Sequence, residues 1–405
     1  MKKRLFIILS DSILLIFLGL VYAWSVFKKP LSLAYGWNDS QLTWTFTICM
    51  FMFCLGGFGG AQLSKRFSHR LITQICGGFI GLSFVLMGFM TSLWQIYVLY
   101  GVIIGFAVGI VYNCVLSTGN RWFPDKAGLI AGLLLMFFGA GSLILSPFSN
   151  LLLSKLGTRM AFVVIGILFA AVLILGGLNV RVPSEDESKT LLGEVKANTN
   201  KAALSSRDYE PKEMMKTANF WIYFVWCIFV SAIGLALLGQ IATVSASVGM
   251  KDTACALMVS LFAVFNGVGR FFFGSFYDKK GRGLTMTIFG ILFTLGGILM
   301  ILGVKLGSAL PIVLSLILFG IAYGGVTPTN ANFARSFFGN KNYATNFSLV
   351  NFNLLIAVFL GQFVGSTLYV RSGGYLYTAI AITVIAVLSL ILQFFIKDNK
   401  QNMDA

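Results

Sequence analysis

Arg270 lies in the middle of an apolar run, near 254 to 276, and Asn266 precedes it by one helical turn. A guanidinium is permanently charged and costs several kcal/mol to bury among apolar groups unless it is paired or hydrated. Asp11 is the only acid inside any comparable run, and its place early in the first run makes it a poor partner for a mid-run cation. A small carboxylate would fill the planar fork of donors with two parallel hydrogen bonds. The pair therefore points to anion binding, with Arg270 as the anchor and Asn266 orienting either the guanidinium or the anion. The alternative is a structural arginine that grips backbone carbonyls. Tyr22, Tyr112 and Tyr323 could offer a hydroxyl donor and ring surface to such an anion, and Gln240 an amide. Each of them suits packing as well. No run carries a paired acid and base, a metal cluster or a nucleophile with a neighbouring histidine, which argues against an enzyme.

The elements that must position these residues are set by composition. Of the 405 residues, 57% are hydrophobic and only 11% charged, whereas soluble domains carry about 25% charged residues. There is too little polar surface to coat a soluble globule. Apolar runs of about twenty residues recur, long enough to cross a hydrocarbon core of about 30 Å as helices that satisfy their own backbone hydrogen bonds. Runs bounded by charge, Gly or Pro fall near 5–27, 42–63, 71–91, 95–117, 128–152 and 160–179, and again near 219–246, 254–276, 284–304, 309–331, 344–369 and 375–396. With both termini cytoplasmic, the inner segments hold 22 Lys and Arg residues and the outer loops only seven, the asymmetry expected of a multi-pass chain. The net charge of +16 is thus a topology signal, and no nucleic-acid partner is implied. The stretch 180–218, with seven basic and seven acidic residues, is expected to be a polar cytoplasmic linker between bundles at 1–179 and 219–405.

The halves repeat. Gly105-Phe106-Ala107-Val108-Gly109 recurs 215 positions later as Gly320-Ile321-Ala322-Tyr323-Gly324, and Phe123-Pro124-Asp125-Lys126 stands opposite Phe338-Gly339-Asn340-Lys341. A six-plus-six duplication suits alternating access about a shared site. Gly101, Gly105 and Gly109 make two small-xxx-small steps that permit close helix contact. Pro147 and Pro328 fall inside runs and shape them. The six cysteines lack the close pairing of a metal or redox motif. Trp24 is expected to pack between helices, and His69 to be a solvated loop residue.

Gly274-Ser275-Phe276-Tyr277-Asp278-Lys279-Lys280-Gly281-Arg282 resembles the signature loop of the major facilitator superfamily, in which an acid and bases latch neighbouring helix ends. The first-half counterpart has Ser64 where the acid would stand. Asn120-Arg121-Trp122-Phe123-Pro124-Asp125-Lys126, with Gly19-Leu20-Val21-Tyr22-Ala23-Trp24 and Asn266-Gly267-Val268-Gly269-Arg270, resembles the oxalate/formate antiporter family. That family also includes carriers similar to animal monocarboxylate transporters. The resemblance implies latch roles for Asp278, Lys279, Arg282, Arg121 and Asp125, and a cavity lined by Tyr22 and Tyr112. It also places Leu354, directly after Asn353 and three residues after Asn351, where the oxalate antiporter carries a second cation. One cation with the neutral amides of Asn351 and Asn353 suits a monoanion better than a dianion.

The expectation is an all-α membrane protein of twelve transmembrane helices in two six-helix bundles. It would be a secondary transporter of a small monocarboxylate such as lactate, pyruvate or formate, working by alternating access. Proton symport and anion exchange stay open, because the place of Asn266 holds no acid. An oxalate/formate-type dicarboxylate exchanger is the alternative, and a transporter-like sensor a more distant one. The lipid bilayer, the carboxylate and protons are the implied partners, with no cofactor and no metal. A monomer in a prokaryotic inner membrane is expected.

Overall fold

The computed structural model describes residues 2–184, 186–187, 191, 207–238 and 240–397. Every regular element among them is helical. The chain divides into two compact units, Met1–Asn200 and Lys201–Ala405. Much of the expected linker, residues 185, 188–190 and 192–206, lies outside the described residues.

Ten helical stretches among the described residues are long and apolar enough to cross a membrane. Two of them are far too long for one crossing. Ala127–Gly177 has 51 residues and Asp252–Leu306 has 55, so either would run beyond about 75 Å if straight, against a core of about 30 Å. Each is broken at a glycine: Gly157 has φ 71° and ψ 170°, and Gly281 has φ 76° and ψ 178°. These dihedrals are open to glycine and strained for any L side chain, so the reversal is written in the residue type.

The arms on either side of each break pack on different partners. A Cβ on Gly141 would lie 2.1 Å from the Ile16 carbonyl oxygen, whereas one on Gly166 would lie 2.5 Å from that of Gly81. In the second unit, Gly269 lies against Ile321 and Gly297 against Thr383.

Burial shows which solvent these units are built for. Leu5, Phe6, Leu9 and Ile13 are more than half exposed on the Lys2–Leu18 helix, as is Val264 in the second unit, where Phe272 is 50% exposed. Ser231, Asn330 and Asn353 are buried. Apolar surface outside and polar groups inside reverse the order of a water-soluble domain and fit a hydrocarbon surround.

The first helix differs from its expected span of 5–27. It runs through Lys2–Leu18, tightens to a 3₁₀ turn at Gly19–Ala23, and continues as Trp24–Tyr35 to a left-handed Gly36. An apolar run marks where lipid ends, not where helical hydrogen bonding ends, so the extra turns were invisible to hydropathy. Trp24 packs as expected: it is buried, and its indole N–H donates to the Leu42 carbonyl at 2.7 Å.

The glycine stripe does the close packing that its spacing suggests. A Cβ on Gly105 would meet the Cys49 carbonyl oxygen at 2.6 Å, and one on Gly109 that of Phe53 at 2.1 Å. The repeat reproduces this contact in the other unit, where Gly320 lies 3.0 Å from the Phe262 oxygen and Gly324 2.0 Å from that of Asn266, measured the same way. Phe53 and Asn266 are therefore structural counterparts. Replacing Gly324 by Val should part these helices and, at an overpacking cost of about 1–3 kcal/mol, lower the melting temperature of the detergent-purified protein. Gly109→Val should do the same, while Gly78→Val, with nothing within 4 Å, should leave melting unchanged.

Candidate functional site

Asn266 and Arg270 are carried by the first arm of Asp252–Leu306, pressed onto Ala309–Phe338 through Gly269 against Ile321 and Gly324 against Asn266. Both residues are half-buried. The same contact in the first unit has Phe53 where Asn266 stands, so polarity at this station belongs to one repeat alone.

The second unit also holds a buried polar seam. Tyr223, Cys227 and Ser231 follow one another at four-residue steps on Ala218–Leu238, which places them on one face. Asn330 Oδ1 accepts from the Tyr223 hydroxyl at 2.9 Å and from the Cys227 thiol at 3.1 Å, and its Nδ2 donates to Asn351 Oδ1 at 3.4 Å. The Ser231 hydroxyl donates to Asn353 Oδ1 at 3.0 Å, and Asn353 Nδ2 donates to the Val350 carbonyl at 2.6 Å.

That last bond has a local cause. The helix is interrupted at Phe352, between Tyr343–Asn351 and Asn353–Gln362, and an interruption frees carbonyls that a span must satisfy internally. Asn353, 0% exposed, thus braces the break, and Asn351 ends the turn before it. Asn330 escaped the sequence reading, although Thr327-Pro328-Thr329-Asn330 is a polar cluster in an apolar run. That cluster was the signal available.

The remaining amide and the third tyrosine are placed less centrally. Gln240 caps the Ile241–Ser247 helix, and its Oε1 accepts from the Tyr375 hydroxyl at 2.8 Å and from Thr243 at 3.0 Å. It joins helix ends. The Tyr323 ring covers Gly234 so closely that a Cβ there would lie 2.0 Å from the ring. Phe262 is its aromatic neighbour at 6.5 Å.

In the first unit Tyr22 and Tyr112 meet through a residue that the sequence did not single out. The Phe138 ring lies 5.3 Å from Tyr22 and 4.9 Å from Tyr112, and Phe53 stands 5.1 Å from Tyr112. Tyr112 is buried, whereas Tyr22 is 39% exposed. Phe138 falls in a uniformly apolar stretch, so no sequence signal marked it. Asp11 is fully buried, and neither of its oxygens has a hydrogen-bond partner among the described residues.

The latch residues separate into different jobs. Asp278 pairs with Arg335 Nη2 at 2.9 Å, joining two helix ends, and Tyr277 bonds to Ser336 beside it at 3.0 Å. Arg335 was missed, although it stands 214 positions after Arg121. Arg282 instead donates to the Gln393 and Ile396 carbonyls at 3.2 and 3.1 Å, satisfying open carbonyls at the end of the last helix. Lys279 and Arg121 are exposed. Asp125 pairs with Arg4 at 2.6 Å, and the Arg4 guanidinium also lies over Phe123.

His69 departs from expectation. It is 5% exposed, and its Nδ1 lies 2.9 Å from Thr118 Oγ1, whose hydroxyl donates to the Cys114 carbonyl. Ser68 caps the helix, so His69 is its first residue and is turned against the neighbouring helix rather than left in the loop.

Removing the hub of the seam tests its weight. Asn330→Ala should destabilise the detergent-solubilised protein by about 1 kcal/mol or more, through unsatisfied buried partners. A thermal melt of Asn330→Ala, Tyr223→Phe and the double variant should show losses that are less than additive.

With the site described, comparisons place the chain among known proteins. The family model of the Major Facilitator Superfamily matches residues 9–362 and again 224–404. The oxalate:formate antiporter of Oxalobacter formigenes is 27% identical over 72% of this chain and 67% of its own length. Monocarboxylate transporter 4 of Gallus gallus is 24% identical over 83% of this chain and 70% of its own. Among solved structures, the proton:xylose symporter XylE bound to 6-bromo-6-deoxy-D-glucose superposes with a TM-score of 0.72 at 15% identity, over 98% of this chain and 96% of that one. At that identity the likeness concerns the fold alone. The chain belongs to the major facilitator superfamily, a family of multi-pass membrane transporters and not of enzymes.

Proposed function

We propose that this protein is a secondary carrier of small monocarboxylates, with lactate, pyruvate and formate as the candidate substrates. The observation that carries the reading is Arg270, a half-buried guanidinium within an apolar stretch of its helix, one turn from Asn266. The names of its relatives, an oxalate:formate antiporter and monocarboxylate transporters, support the same substrate class. Counted by arms on either side of Gly157 and Gly281, the ten apolar stretches become twelve crossings. An even number puts both termini on one side, and the basic residues favour the cytoplasm. Alternating access, with proton symport or anion exchange as the coupling, a monomeric working unit and a prokaryotic inner membrane complete the proposal.

A dicarboxylate exchanger is the second reading, favoured by the likeness to the oxalate:formate antiporter. Leu354, where the resembling family carries its second cation, weighs against it.

The deciding experiment is uptake of radiolabelled lactate, pyruvate, formate and oxalate into proteoliposomes, with and without an inward proton gradient or internal counter-substrate. Saturable monocarboxylate flux without oxalate flux is the expected result; oxalate exchange alone would overturn it. Arg270→Lys, which keeps the charge but loses the planar fork, should cut uptake at least ~10-fold in correctly inserted protein. Unchanged uptake would remove Arg270 as the anion anchor. Leu354→Lys should raise the oxalate-to-lactate uptake ratio at least ~10-fold if a second cation selects dianions, and an unmoved ratio would end that explanation.

A further inference from the structure

We infer that Arg207–Thr217, at the end of the segment expected to be a plain linker, is a docked strap that holds the Phe338–Asn346 junction and, through it, the Asp278–Arg335 latch. A tether needs no receptor, and this segment has one. The chain leaves Ala309–Phe338 through Gly339, whose φ of 83° turns the next two amides outward. Asp208 Oδ1 accepts from both, Asn340 N–H at 2.8 Å and Lys341 N–H at 3.0 Å.

The neighbouring residue is held from both sides. Tyr209 N–H donates to the Phe338 carbonyl at 3.0 Å, and its own carbonyl accepts from Asn342 and Asn346, each at 3.2 Å. The Tyr209 ring stands edge-on to Phe338 at 5.6 Å. Gly339 fits the strap so tightly that a Cβ there would lie 2.2 Å from Asp208 Oδ1 and 2.9 Å from its Cα. Behind the docked residues, Arg207 pairs with Glu213 at 3.0 Å and Glu210 and Glu213 form a capping box, which fixes the shape of the strap itself.

The other end of the same linker docks at the repeat-related place. Trp122 Nε1 donates to the Arg181 carbonyl at 2.6 Å, and the Arg181 guanidinium lies 5.5 Å from the Trp122 ring. Glu187 accepts from Lys3 and Arg181, and Leu191 packs on Ile7 and Trp122. The Lys3 ammonium, followed by the Ser184 amide, holds the Glu187 carboxyl down to about 2. Each end therefore grips the chain where the fourth helix of its own repeat ends, at Trp122 and Phe123 in one and at Phe338–Asn346 in the other. In the second unit that junction starts three residues after Arg335, which carries the latch to Asp278. Holding one holds the other.

Hydrogen exchange by mass spectrometry on the full chain in lipid nanodiscs reads the hold directly. Asp208→Ala should speed amide exchange at least ~10-fold in peptides covering 338–346, and by a smaller factor in peptides covering 274–282 around the latch. Asp208→Asn, which keeps the oxygen acceptor, should restore most of the protection. L-lactate uptake by Asp208→Ala should fall at least ~3-fold in maximal rate with Km moved less than ~2-fold, since the strap touches the junction and not the anion site. Faster exchange at 338–346 without any at 274–282 would confine the strap to its own loop and overturn its link to the latch. No change at either place would overturn the docking. Should Asp208→Ala fail to fold, Tyr209→Ala removes the ring contact while keeping the backbone bonds, and it should give the same two-site pattern at smaller size. The strap stands on the exchange data alone if the wild-type protein carries no lactate, a result that would count against the transport reading only.

Discussion

Two helix backbones meet where Gly324 lies against the Asn266 carbonyl and Gly269 against that of Ile321. The hydrophobic effect does little to join helices already surrounded by lipid, so dispersion between close backbones must serve instead. Such contact exists only where a side chain is missing, which ties the glycine register to everything built on it. Asn266 and Arg270 are set in place by that contact, Asn330 is carried on the same partner helix, and Arg335 lies in its last turn. A polar site could then be assembled inside a unit whose exterior is Leu, Ile and Phe.

The two repeats share this architecture and divide its chemistry. The Gly109 contact in the first unit leads to Phe53, Phe138, Tyr112 and Tyr22, four rings of which only the two tyrosines carry a hydroxyl. Its counterpart at Gly324 leads to amides and a guanidinium. The latches diverge likewise. In the second unit an ion pair joins Asp278 to Arg335. The first unit, with Ser64 in the place of the acid, has the His69–Thr118 hydrogen bond and the Arg4–Asp125 pair at that end. Duplication preserved the backbone contacts and left the side chains free to specialise.

What could be read from the sequence follows from what a linear string records. Run length reports the thickness of the apolar solvent, so the apolar helices were legible in number and place but not at their ends, and Gly157 and Gly281 fell where the runs parted. Arg270 was legible because burying a permanent charge among apolar residues is costly wherever it happens. Pairings across space were not. Phe138 is one Phe among many until Tyr22 and Tyr112 arrive on either side of it, and Asn330 becomes a hub only when Tyr223, Cys227 and Asn351 converge. His69 was misread because nearby charges say that a loop is close but not which way a first-turn side chain points. Asn353 was expected beside an anion, and its amide is occupied by Ser231 and Val350 because Phe352 breaks the helix there.

That break also sets the mechanics of its helix. A continuous α-helix resists bending because every turn must stretch a row of backbone bonds together, whereas a rod with one gap yields at the gap first. At Phe352 the row shortens to three-residue bonds, Phe352 N–H to the Leu349 carbonyl at 3.3 Å and Leu355 N–H to that of Phe352 at 3.1 Å. Side-chain struts brace it, Asn353 to the preceding turn and Ser231 from a neighbouring helix to Asn353. Such struts pivot on rotatable bonds and keep their partners through a small change of angle. The joint is compliant yet stays chemically satisfied, so flexing there exposes no bare carbonyl to hydrocarbon.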